Sequence, residues 1–68
     1  IASINDIGPD DVSLVGKMVL MARDIAVENG IADDGYRLVF NVGADGGQTV
    51  DHIHLHVLGG RELTWPPG

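Results

Sequence analysis

From His52 to Val57 the chain reads H-I-H-L-H-V, with imidazoles and apolar side chains alternating without a break. A period of two marks an extended strand, because successive Cβ atoms point to opposite faces of the backbone. Ile53, Leu55 and Val57 therefore share one face, and His52, His54 and His56 share the other. A helix would scatter the same residues around its whole circumference. The apolar face needs a cover, and the backbone edges need a neighbour.

The neighbour is "YRLVFNV", which alternates in the same way. Tyr36, Leu38, Phe40 and Val42 fall on one face, and Arg37, Val39 and Asn41 on the other. A glycine-rich connection of hairpin type, "GADGGQT", joins the two segments. Strands are thus predicted over residues 36–42 and 50–58, with Arg37 and Asn41 beside the three imidazoles if the pairing is antiparallel. The cover is a helix predicted over residues 11–29, in which Leu14, Met18, Met21 and Ile25 recur at helical spacing, and Val15, Val19 and Ala22 widen the stripe. Upstream, "GPDD" offers Asp10 or Asp11 to cap the first turn and meet the positive end of the helix dipole. Downstream, "ENG" ends the helix, with Gly30 suited to a left-handed terminal residue. Gly16 costs about 0.5 to 1 kcal/mol relative to alanine inside a helix and is read as a packing feature. The tail, residues 59–68, carries Pro66 and Pro67 and leaves the sheet.

One helix and two strands make an incomplete globule. A 68-residue chain is a single domain, residues 1–68, and a chain of about 60 residues buries only about 60% of the surface that its unfolded form exposes. Without a cysteine there is no disulfide to compensate, so further strands or a second copy are expected to complete the fold. The first residue, Ile1, fits a chain lacking an N-terminal part. A net charge of −6 and four Lys and Arg residues argue against a surface that coats nucleic acid. No apolar run approaches the roughly 20 residues that span a bilayer, and the expectation is a cytoplasmic protein with neither nucleic-acid nor membrane partners.

Three chemistries compete for the histidine row. Alternate residues on one strand face stand about 6.5 to 6.8 Å apart, so a row of three spans about 13 Å and does not converge easily on one metal ion. Asp51, a possible supporting carboxylate, points to the other face. A plain strand with water-facing histidines is the second reading. The third is chemistry at phosphorus: a neutral imidazole attacks when its other nitrogen is held by a hydrogen bond, while protonated rings and loop N–H groups stabilise phosphate oxygens. This third reading reconciles a phosphate ligand with an acidic chain, because the field that matters is local.

"HIHLHVL" matches the pattern His-φ-His-φ-His-φ-φ, with φ apolar, at every position, and Tyr36 to Gly68 down to "WPPG" resembles the Hint branch of the histidine triad (HIT) family, the purine nucleoside phosphoramidases. The resemblance implies an α+β, HIT-like fold, one amphipathic helix on an antiparallel sheet, completed by absent N-terminal strands, a homodimer partner, or both. It implies hydrolysis of nucleoside 5′-phosphoramidates through a nucleotidyl-histidine intermediate, with an AMP-like purine nucleotide as ligand and with no cofactor or metal required. His54 would be the nucleophile, His56 would contact the phosphate, and His52 would order the site. Asn41 would lie near ribose or phosphate, Gly47 in the phosphate loop, and Gln48 and Thr49 toward the phosphate and the leaving group. Trp65 would approach the site of the neighbouring protomer. The alternative is a nucleotide- or metal-binding interaction module without significant turnover.

Overall fold

Pro9 has no N–H to leave unpaired, and it opens a single 3-10 turn, Pro9–Asp11, that feeds directly into α1, Val12–Glu28. The Asp11 carboxylate accepts a hydrogen bond from the Gly8 N–H at 2.9 Å and so braces the 3-10 turn, whereas the first turn of α1 has no side-chain cap from the acidic residues expected there. At the other end Gly30 adopts φ 71°, Ile31 N–H donates to the Ala26 carbonyl at 3.0 Å, and the Asn29 amide donates to the Ile25 carbonyl at 2.8 Å. These bonds satisfy carbonyls that a helix end leaves open. The computed structural model describes all residues, 1–68.

After α1 the chain turns at residues 32–34 and enters β1, Tyr36–Val39, which pairs antiparallel with β2, His56–Gly59. The register sets Tyr36 opposite Gly59, Arg37 opposite Leu58, Leu38 opposite Val57 and Val39 opposite His56. Directly opposed residues share a face, so Leu38 and Val57 lie together on one side of the sheet, and Arg37, Val39 and His56 on the other. Gly59 sits in close packing against Ile31 and Tyr36. A Cβ there would run into the Ile31 Cδ1 and stand 3.3 Å from the Cβ of Tyr36. The result is one helix packed on a two-stranded antiparallel sheet.

Both strands are shorter than the alternation predicts. Residues 40–42 and 50–55 lie outside the ladder, and backbone groups in and next to these stretches find other partners. The Gly43 N–H goes to the Gln48 side chain, the His52 N–H to the Val50 carbonyl, and the Ile53 N–H to the Ile1 carbonyl. Alternation reports which face a side chain takes. It does not report where the backbone hydrogen bonds go.

The helix turns one edge of the expected stripe inward. Ala26 and Ala22 are the buried residues of α1, at 0% and 3% exposure, and Val15 and Met18 are half-buried beside them. Leu14, Val19, Met21 and Ile25, expected in the packed stripe, are exposed, Met21 at 64%. Leu20 and Val27 are exposed as well, so α1 is apolar on nearly every side. Periodicity cannot choose a face from such a sequence, and the choice falls to the small residues that let the sheet approach closely. Only Ser3 joins the two alanines as a buried residue, which leaves this segment with a small core of its own. No helix is long and apolar enough to cross a membrane.

Candidate active site

His56 is placed by β2 itself, opposite Val39, and its ring is exposed. Continuing the same register by two residues sets His54 level with Asn41, each just outside the ladder and each half-buried. The rings of His54 and His56 meet edge to face with centroids 4.9 Å apart and planes at 74°. His52 is exposed at the far end of the row.

The decisive contact is internal to the row. His54 Nδ1 lies 2.6 Å from the backbone carbonyl oxygen of His52. A carbonyl oxygen only accepts, so Nδ1 must carry the proton and donate it. In the neutral ring that leaves the Nε2 lone pair free, pointing away from the bond that fixes the imidazole. The chain thereby holds one imidazole of the three in a fixed orientation. The backbone carbonyl plays the orienting part that a carboxylate plays in other histidine sites. No three His, Asp or Glu side chains are grouped so as to hold a metal ion.

The loop before the row is a tight turn. Gly47 N–H donates to the Ala44 carbonyl and Gln48 N–H to the Gly43 carbonyl, both at 3.0 Å, with Gly43 and Gly47 at φ 70° and 79°. Two amides expected to face a phosphate are therefore engaged within the turn. Thr49 keeps both its hydroxyl and its N–H without an intramolecular partner. Gly46, which no motif in the sequence singles out, is sterically required: a Cβ at this position would fall on the carbonyl oxygen of Val42. Three adjacent turn-forming residues, Asp45, Gly46 and Gly47, mark the region in the sequence, but not which of them is sterically required.

Gln48 is spent on the backbone as well. Its Oε1 accepts from Gly43 N–H at 3.1 Å, and its Nε2 donates to the Ala2 carbonyl at 2.6 Å and the Val50 carbonyl at 3.0 Å.

Two hollows flank these residues. One of about 380 Å³ runs between α1 and the histidine row, walled by Met18, Met21 and Ile25 on the helix and by His52, His54 and Leu55 on the row. The other, about 400 Å³, lies on the sheet under the tail and includes Arg37, Asn41 and Arg61. Asn41 and His54 thus open onto different hollows, while Trp65 stands at 80% exposure in neither. The tail is anchored by Arg37, whose guanidinium donates to the Thr64 carbonyl at 3.1 Å.

Fold and site together define a helix-on-hairpin α+β unit built around an alternating histidine row with one oriented imidazole. The HIT domain family model matches residues 1–63, and the chain belongs to that family. It is 48% identical over 63 residues to the purine nucleoside phosphoramidase of Escherichia coli K12, a match covering 93% of this chain and 53% of that protein. An uncharacterized HIT-like protein of Synechocystis is 53% identical over 60 residues, covering 88% of this chain and 52% of its own length. Among solved structures, a HIT family hydrolase from Legionella pneumophila superposes with a TM-score of 0.98 at 54% identity, covering all of this chain and 61% of that one. A HIT family hydrolase from Clostridium thermocellum gives 0.90 at 38% identity, covering 94% and 56%. The chain spans about half the length of the curated relatives it matches.

Proposed function

We propose that the protein is a nucleotidyl hydrolase that cleaves nucleoside 5′-phosphoramidates of the AMP type, with His54 as the nucleophile. The observation that carries this reading is the 2.6 Å contact from His54 Nδ1 to the His52 carbonyl, which leaves Nε2 free to attack. The phosphoramidase named among the relatives supplies the substrate class.

In the first step Nε2 forms a bond to phosphorus, the P–N bond to the leaving amine breaks, and the amine departs with a proton taken from water. In the second, water attacks the same phosphorus, the P–Nε2 bond breaks, and AMP is released with the imidazole restored. Splitting one hydrolysis into two displacements is the advantage of a covalent route. His56, edge-on to His54, contacts the phosphate oxygens, and His52 orders the site through its carbonyl. Thr49 offers its unpaired hydroxyl and N–H to the phosphate and leaving-group side, and Asn41 serves the ribose or phosphate. Gly47 shapes the loop between them.

No cofactor enters these steps, so a chelator is expected to leave the rate unchanged. The protein works as a homodimer in the cytoplasm. The exposed apolar residues of α1 and the exposed Trp65 support the dimer, with Trp65 reaching the neighbouring site. Incubation of the native protein with adenosine 5′-monophosphoramidate tests the reading. AMP is expected from the wild type, and none above background from His54→Ala. Comparable rates in the two would remove His54 from the mechanism.

A further inference from the structure

The Gln48 amide permits only one orientation. Two of its neighbours are carbonyl oxygens, which need the NH₂ end, and one is an N–H, which needs the oxygen. None of the three belongs to a strand ladder; the bond to Ala2 spans 46 residues, and those to Gly43 and Val50 are local, spanning five and two. Oε1 holds the start of the glycine turn at Gly43, and Nε2 holds both the N-terminal segment at Ala2 and the approach to the histidine row at Val50.

Two routes run from this amide to His54. Along the first, the Val50 carbonyl that accepts from Gln48 also accepts from the His52 N–H at 2.8 Å, and the His52 carbonyl then takes the His54 Nδ1 proton. Along the second, Gln48 fixes Ala2, and the adjoining Ile1 carbonyl accepts from the Ile53 N–H at 2.8 Å, between the two histidines. Both routes end on the backbone that sets the direction of the His54 ring. Outside β2 nothing else ties that backbone to the rest of the fold by main-chain hydrogen bonds.

We infer that Gln48 is a positioning residue, a three-way latch that joins the glycine turn and the N-terminal segment to the histidine row and thereby holds His54 in its Nδ1–H tautomer. Gln48 acts through these backbone groups and not on the phosphate. The inference rests on the reading of His54 as the nucleophile, but its physical core, the coupling of Gln48 to the His54 ring, is measurable without any substrate.

Two variants of the native protein separate the latch from a phosphate contact. Gln48→Ala deletes all three bonds. Gln48→Glu keeps an acceptor for Gly43 and sets a carboxylate against the carbonyls of Ala2 and Val50. In Gln48→Ala, amide exchange at both Gly43 and Ile53 is expected to quicken by about tenfold or more, the loss of roughly one net hydrogen bond at each. In Gln48→Glu, only Ile53 should quicken. Nitrogen-15 spectra of the His54 ring should change from one Nδ1–H tautomer to a mixture in both variants. The maximal turnover rate should fall by about tenfold or more in both, with KM for adenosine 5′-monophosphoramidate within about threefold of wild type.

A residue that merely adds stability would leave the His54 ring signals unchanged well below the melting temperature, and that result overturns the inference. So does unchanged exchange together with a steep rise in KM in Gln48→Glu, the signature of a carboxylate facing phosphate. If Gln48→Ala does not fold, Gln48→Glu alone still decides, because protected Gly43 beside quickened Ile53 arises only from the latch. A changed ring tautomer in a protein whose wild type releases no AMP would refute the proposed function and leave the latch standing.

Discussion

The histidine row has two halves held by different means. Residues 56–59 are strand β2, fixed by a regular antiparallel register against β1. Residues 50–55, in which the alternation begins at His52, are held by a side-chain amide, the Ile1 carbonyl and a ring-to-carbonyl bond. The regular half places His56 by repetition of a general pattern. The irregular half places His54 through bonds specific to this sequence, and there the oriented nitrogen is found. A ladder fixes the face a side chain takes but leaves its ring free to rotate. Fixing a ring demands an acceptor at a chosen atom, and the carbonyl two residues back supplies it once the backbone departs from the ladder.

Three substitutions probe this difference. The largest effect is expected from Gly46→Ala, which would drive a methyl group into the Val42 carbonyl and deform the turn that carries Gln48 and Thr49. A stability loss of about 1 to 3 kcal/mol is expected from such overpacking, accompanied by a drop in turnover, and thermal melting with steady-state rates checks both. Next comes Leu38→Ala, which hollows the regular half opposite Val57. It should cost about 1 to 2 kcal/mol, less than a fully buried leucine because Leu38 is half-buried, while the His54 tautomer stays as in wild type. A mixed tautomer in Leu38→Ala would mean that the two halves are not held separately. Last is Arg23→Ala, which breaks the exposed ion pair with Asp24 at 3.0 Å and should shift stability by less than about 0.5 kcal/mol with no change in rate.

Much of the fold was legible in the sequence because it is written in local patterns. The helix between "GPDD" and "ENG", the left-handed Gly30 and the two faces of the strands all follow from capping chemistry and periodicity. The inward face of α1 was legible only in part. Val15, Met18 and Ala22 were in the expected stripe, but its apolar residues nearly surround the axis, so periodicity neither found Ala26 nor left out Leu14, Val19, Met21 and Ile25. In the site, alternation grouped the three histidines and the family pattern singled out His54, but the contact that orients the His54 ring is a side-chain-to-backbone bond with no sequence signature. Gln48 illustrates the same limit. The family resemblance implies a phosphate contact for it, whereas in the fold both polar atoms of its amide are committed to backbone groups at Gly43, Ala2 and Val50.

The most direct test of the central claim is to look for the bond that His54 is proposed to form. The native protein is mixed with adenosine 5′-monophosphoramidate, quenched within the first turnover under conditions that preserve phosphorus–nitrogen bonds, and digested for peptide mass mapping. An adenylyl group on His54, absent from His52 and His56 and absent when His54 is alanine, is the predicted result. Turnover without any adduct, or an adduct on one of the flanking histidines, would contradict it.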